Sequence, residues 1–266
     1  MLLMGLDVGT TGVKAAVFDE SGNLLGDGFE EYDVVCQKPG WAEQDAERVF
    51  QAACRVMGAA SSRSGGDIAA IGLSVQGDAV IAVDENFRPV APVQLGMDYR
   101  CAGEAEAFAR EFGEKWLFDK TGMRPHPLNS LCKVRNFVFQ SPEVNRRAAR
   151  YMTYSDYMLS RLGAEEPVID YTMATRTMGV DLKTLDWDDA LLAAAGVDKA
   201  RLSKPGPSGM CVGHLSPAQA AAIGISPRAM LVTGGHDQPC AAVGAGVVRP
   251  DLALDSHGTA EVVSTA

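Results

Sequence analysis

The stretch Met4–Gly22, MGLDVGTTGVKAAVFDESG, decides the fold. An apolar run from Leu2 to Leu6 leads into Asp7, which falls at the end of a predicted strand. A tight turn follows, Val8-Gly9-Thr10-Thr11-Gly12, and then a second apolar strand, Val13 to Phe18, broken only by Lys14. Asp19-Glu20-Ser21-Gly22-Asn23 turns the chain again, so the unit reads strand, turn, strand. Glycines carry no Cβ, so a turn built on them lets backbone N–H groups converge on an anion. Thr10 and Thr11 add hydroxyl donors, and a carboxylate at Asp7 suits a divalent metal or its bound water. Taken alone, a Gly-Thr-Thr is more often an ordinary hairpin turn. A partial echo near the other end weighs against that reading: Leu254-Asp255-Ser256-His257-Gly258-Thr259-Ala260-Glu261, continuing into Val262 and Val263. Two phosphate-type turns of one construction suggest a duplicated fold with a nucleotide held between its halves.

A chain of 266 residues with 47% hydrophobic content can bury a proper core, as one large domain or two small ones. Its net charge of −10 argues against nucleic acid or an anionic membrane as main partner. A polyphosphate must then be held locally, by backbone amides and a metal, against an unfavourable overall field. No basic segment precedes an apolar one at the N-terminus, so no signal peptide is expected. No apolar run approaches the ~20 residues of a membrane span. The six cysteines (36, 54, 101, 132, 211 and 240) form no CxxC pair and read as reduced thiols of a cytoplasmic protein.

Downstream, Asp45 is the predicted N-cap of a helix carrying Val49, Phe50, Ala53, Val56 and Met57 on one face. Ile68 to Val75 and Ala79 to Val83 read as strands, with Gln76-Gly77-Asp78 between them as a turn or a ligand site. Helices are expected over 102–112, 131–139, from Ser155 or Asp156 to Leu162, and over 217–223 closed by Gly224. Residues 170–176 read as a polar loop and 205–209 as a linker. Ala229 to Val232 is a strand running into Gly234-Gly235-His236-Asp237-Gln238, ahead of an Ala- and Gly-rich helix. Ligands of α/β proteins gather at such strand ends. Asp237 is either a helix N-cap or a carboxylate that accepts a hydroxyl proton during phosphoryl transfer. The succession, an antiparallel opening unit and then strands alternating with helices, is α/β.

Seven segments, in order from end to end, resemble the FGGY family of carbohydrate kinases, within the actin, hexokinase and heat-shock-chaperone ATPase superfamily. They are Gly5-Leu6-Asp7-Val8-Gly9-Thr10-Thr11 with Lys14, Pro39-Gly40-Trp41-Ala42-Glu43-Gln44-Asp45, and Ile71-Gly72-Leu73-Ser74-Val75-Gln76. The others are Asp98-Tyr99-Arg100, Asp170-Tyr171-Thr172-Met173-Ala174, Gly234-Gly235-His236-Asp237-Gln238 and Leu254-Asp255-Ser256-His257-Gly258-Thr259.

The resemblance implies a ribonuclease H-like (actin-like ATPase) domain, a mixed sheet with flanking helices. It also implies ATP-dependent phosphorylation of a hydroxyl on a sugar, sugar acid or polyol, a pentulose being favoured. By this likeness Asp7 organises Mg2+, and Thr10, Thr11 and Lys14 meet the transferring phosphate. Gly258 and Thr259 bind the nucleotide phosphates from the opposite side. Asp237 is the general base, Gln238 helps fix the polyol, Gln76, Gly77 and Asp78 form the substrate loop, and Asp98 and Arg100 flank it. Xylulose kinases tend to carry Met-His and glycerol kinases Arg-Glu where this chain has Gly77-Asp78. At the flank, Gly96-Met97 stands in place of a Trp-containing pair. Trp41 reads as a loop anchor. The family has a second domain of comparable size. Residues 1–250 therefore correspond to the N-terminal, substrate-binding domain and 251–266 to the first strand and phosphate turn of a second one. Such a half is expected to be weakly active or inactive alone. The alternative is a non-catalytic sugar- or nucleotide-binding module of the same superfamily. Oligomeric state is not readable, and a homodimer stays open.

Overall fold

The computed structural model describes residues 1–257 and 261–265. Six strands form its central sheet: β1 (Leu2–Val8), β2 (Gly12–Phe18), β3 (Leu24–Glu31), β4 (Ile68–Val75), β5 (Cys211–His214) and β6 (Met230–His236). Their spatial order is β5-β6-β4-β1-β2-β3. β1, β2 and β3 form an antiparallel meander, whereas β1, β4 and β6 run parallel, and β5 closes the edge antiparallel to β6. The sheet is therefore mixed, as the family resemblance implies.

Alternation explains its two faces. Met4, Leu6 and Val8 of β1 and Val13, Ala15 and Val17 of β2 are buried. They lie beneath helix α1 (Ala46–Ser64), whose N-cap Asp45 accepts from the N–H groups of Glu47 and Arg48. Phe50 of α1 meets Tyr157 of α2 (Tyr154–Leu162) edge to face, so the two helices cover the same side. The alternate positions Gly5, Asp7, Lys14, Gly72 and Ser74 fall on the opposite side and line a groove of 440 Å3 there.

Several local expectations change. Residues 171–176 are a short helix, α3 (Tyr171–Arg176), because Asp170 caps it by accepting from Met173 N–H. Helix α2 is capped two or three residues earlier than expected, by a capping box between Thr153 and Asp156. Lys204–Gly206 is no linker but pairs in parallel with Val168–Asp170. Gly234 and Gly235 lie inside β6, where the register slips between Val232 and Gly235. A Cβ at Gly234 would stand 1.5 Å from the carbonyl oxygen of Leu73, so only glycine lets β6 pass β4 this closely. Helix α4 (Asp237–Gly244) follows directly. At the C-terminus Ala253–His257 and Glu261–Thr265 pair antiparallel. The turn between them, with Gly258 and Thr259, lies outside the described residues. No helix among the described residues is long and apolar enough to cross a membrane.

Candidate active site

The parallel strands β1, β4 and β6 end together. Register sets Asp7 beside Ser74 and Ser74 beside Gly235, and one step on, Val8, Val75 and His236 form a row. Asp7 and Asp237 therefore flank the end of β4 at the carboxyl edge of the sheet, two strand spacings (roughly 10 Å) apart along the backbone. Ser74 donates to Asp7 Oδ1 at 2.8 Å. Burial pushes the Asp237 carboxyl up from its ordinary range, Asp7 and Asp78 add to this, and Arg176 opposes it. The N-cap reading of Asp237 does not hold. His236 occupies the cap, no side chain caps the helix, and Asp237 Oδ1 instead accepts its neighbour Gln238 N–H at 2.7 Å.

The turn after β1 is fastened from behind. Tyr32 donates its hydroxyl to the carbonyls of Gly9 and Gly12 at 2.7 and 3.1 Å. Gln76 Nε2 also donates to Gly9 O, at 3.0 Å, Gln44 Nε2 to Thr10 O at 2.5 Å, and Tyr32 N–H to Thr11 O at 3.2 Å. Its carbonyls are thus taken up by the protein and Gly9 N–H is spent on Gly12 O at 3.0 Å, which leaves the Thr10 and Thr11 hydroxyls as the donors the turn can offer an anion. Lys14 stands opposite Asp7 in the β1–β2 ladder, on the same face.

The substrate-loop residues divide. Gln76 is buried, and its amide nitrogen is used on Gly9 O and on Gln44 Oε1. Gly77 packs so closely that a Cβ would stand 2.5 Å from His236 Nε2 and 3.0 Å from Arg176 Nε. Asp78, at φ 68°, is gripped by Arg176 through Nε at 3.1 Å and Nη2 at 2.5 Å. Burial raises the Asp78 pKa and the guanidinium pulls it back. Asp98 and Arg100 are engaged with each other and with the neighbouring flank. Asp98 has no exposed surface, accepts from Ala42 N–H at 2.7 Å, and forks with Arg100. Arg100 also reaches Glu43 at 2.8 Å and lies 3.6 Å from the Trp41 ring centroid. These four side chains brace the flank, and Met97 and Tyr99, both half exposed, are what the flank presents. Gln238 carries a buried Oε1 without a hydrogen-bond partner among the described residues.

The general-base candidate is positioned through residues with no role assigned from sequence. Asp170 accepts from the Thr172 hydroxyl at 2.5 Å, and Thr172 Oγ1 in turn accepts His236 N–H at 2.8 Å. The His236 imidazole, held at a pKa of about 4 by burial and by Arg176, is neutral near pH 7 and lies 3.2 Å from Asp237 Oδ1. Arg176, Tyr32 and Gln44 are the functional side chains that sequence reasoning missed. The only signal for Gln44 was its place in the Pro39–Asp45 segment. A wider groove of 770 Å3 between Glu47, Arg88 and Arg161 has neither Asp7 nor Asp237 in its wall.

A divalent cation fits this donor set in one manner. No group of three or more His, Cys, Asp or Glu side chains converges among the described residues, which disfavours an all-protein cage. Mg2+ is commonly held by one or two carboxylates together with waters and substrate phosphates, and Asp7, beside the phosphate-type turn, meets that description.

Residues 2–244 match the family model described as "FGGY family of carbohydrate kinases, N-terminal domain". The chain belongs to the FGGY family of carbohydrate kinases. Gluconokinase of Bacillus subtilis (strain 168) is 30% identical over 264 residues, covering 99% of this chain and 51% of that protein. Xylulose kinase of Escherichia coli (strain K12) is 29% identical over 262 residues, covering 98% and 53%. Among solved structures, gluconate kinase from Lactobacillus acidophilus superposes with a TM-score of 0.93 at 25% identity, over 99% of this chain and 54% of that one. This FGGY chain thus spans about half the length of the relatives it matches, and the ribonuclease H-like fold read from its sequence is that of the family's N-terminal domain.

Proposed function

We propose that this FGGY chain is the acceptor-binding half of an enzyme that phosphorylates a hydroxyl of a small sugar or polyol with ATP. The observation that supports it most is the register of β1, β4 and β6. It brings Asp7 and His236, the neighbour of Asp237, to the same edge of the sheet, near enough for the Asp7 charge to act on Asp237. Asp237 takes up the hydroxyl proton as the oxygen attacks, and its raised pKa suits a base that must also release that proton. The Thr10 and Thr11 hydroxyls receive the transferring phosphoryl group, with Lys14 beside them. Asp7 holds Mg2+, which when bound offsets the phosphate charge. Asp78 and Gln238 orient the acceptor, while Gln76, Asp98 and Arg100 act by holding the turn and the flank in place. In a loose phosphoryl-transfer transition state, such positioning and electrostatics are most of catalysis.

Residues 251–266, including Gly258 and Thr259, begin the second domain in this reading, and the 266 residues alone are expected to show little or no turnover. The test is Asp237→Asn in the two-domain protein. Transfer should fall by about 10²–10⁴-fold, the usual worth of a general base, while acceptor binding survives. Unfolding of that variant, or undiminished transfer, would remove Asp237 from the role.

A further inference from the structure

On the face of the sheet opposite α1, register puts five side chains in one row. Leu24, Phe18, Leu3, Ala70 and Met230 stand side by side on β3, β2, β1, β4 and β6. The four large ones are 37–56% exposed, so an apolar stripe crosses these five strands in contact with water. Two residues further along the strands, Ala16, Gly5 and Gly72 make a row of small residues. Two further still come Lys14, Asp7 and Ser74. The 440 Å3 groove lies over these last two rows.

Glycine weakens the interior of a strand and often marks close approach by another backbone. Beneath α1 that is its use: a Cβ at Gly26 would stand 2.3 Å from Ala60 O, and one at Gly28 2.6 Å from Val56 O. A Cβ at Gly5 or Gly72 would meet nothing within 4 Å among the described residues. Parallel strands such as β1, β4 and β6 are ordinarily covered on both faces, because an apolar face must be buried against another element.

We propose that in the two-domain protein a helix of the second domain packs on this face, its backbone close over Gly5 and Gly72 and its apolar side against Leu3, Phe18 and Met230. The proposal rests on the two-domain reading above and goes beyond it by naming the surface that joins the halves. Cys240 of α4 lines the groove, so the chain leaves the central sheet on this same face. Relatives of which this chain covers about half carry as much chain again. A helix seated there lies one row from Asp7 and Lys14, and so fixes the second domain beside that pair.

Leu3→Cys reports cover of the stripe, and Gly72→Leu reports close approach. Maleimide labelling, read by peptide mass spectrometry, has the exposed Cys36 and Cys211 as internal references. In the 266-residue chain the Leu3→Cys thiol should react as fast as the references. In the two-domain protein it should react about 100-fold more slowly, since labelling then waits for local opening. Gly72→Leu should leave the melting temperature of the 266-residue chain within about 2 °C of wild type, because its side chain enters open space. In the two-domain protein the same substitution overpacks the contact and should speed Leu3→Cys labelling by roughly tenfold. Equal labelling of Leu3→Cys in the two proteins, or protection that Gly72→Leu leaves intact, overturns the proposal. Dimerisation of the 266-residue chain that protects Leu3→Cys gives the face to a second copy and overturns it too. None of these readouts needs turnover, so protection in a protein without kinase activity supports the packing and counts against the kinase reading alone.

Discussion

Replacing Gly234 with alanine tests whether the close passage of β6 over β4 builds the site. The new Cβ would lie 1.5 Å from Leu73 O, 2.4 Å from its carbonyl carbon and 2.8 Å from its nitrogen, all of them backbone atoms that no rotamer change can move. To reach ordinary contact, β6 must retreat from β4 by roughly 2 Å in an interior packed without slack. The pairs Gly235–Ser74 and His236–Val75 lie immediately beyond. Two weakened ladder hydrogen bonds cost about 1 kcal/mol each, and a buried group left unpaired about 1–3 kcal/mol. The expected loss is therefore about 3–5 kcal/mol, at the upper end for one substitution. Gly72→Ala on the neighbouring strand is the control, because a Cβ there meets nothing within 4 Å. Its stability should stay within about 0.5 kcal/mol of wild type. Urea unfolding of the 266-residue chain, followed by far-UV circular dichroism and by tryptophan fluorescence, measures both. Equal midpoints for Gly234→Ala and wild type would refute the argument that this contact sets the position of Asp237.

Three further outcomes follow from the same geometry. Arg100→Met leaves the fully buried Asp98 and the nearly buried Glu43 without their cation, and should cost about 3–5 kcal/mol of stability; retained stability with a raised acceptor KM would return Arg100 to the substrate. Asp237 must be ionised to accept a proton, so turnover falls as pH drops through its pKa, and the raised value puts that limb above the ordinary 3.8. Arg176→Met removes a cation that lowers this pKa, so the limb in a kcat/KM profile should move to higher pH; a downward move would contradict the assignment. Tyr32→Phe removes two donations, but Gly9 O keeps Gln76 and Gly12 O keeps Gly9 N–H, so stability should drop by only about 1 kcal/mol while the KM for ATP rises.

The opening hairpin and the Asp45 cap were legible because their determinants are local: alternation, glycine in the turn, and a capping carboxylate one step before an apolar helix face. Asp7 and Asp237 were legible as candidates because each follows an apolar strand, although only sheet register brings them together. Arg176 was not legible, since its partner Asp78 lies 98 residues away, and the helix that carries it has six residues, too few to show a period. Tyr32 and Gln44 escaped for a related reason: their side chains act on backbone carbonyls of the first turn, which leave no trace in side-chain pattern. Asp98 and Arg100 illustrate a different limit. A charged pair beside a site looks like ligand machinery in sequence, but here the charges satisfy each other.

Gln76 grips Val8 and Gly9 through both its backbone N–H and its side chain, at 2.8 and 3.0 Å, and is bonded covalently to Gly77 and so to Asp78. One residue thus joins the first turn to the Gly77-Asp78 segment, which in the proposed function are the donor and acceptor sides of the transfer. A displacement of one would then reach the other through protein bonds alone. The two ligands should therefore report on one another in a thermodynamic cycle, and severing the amide with Gln76→Leu should make their affinities independent.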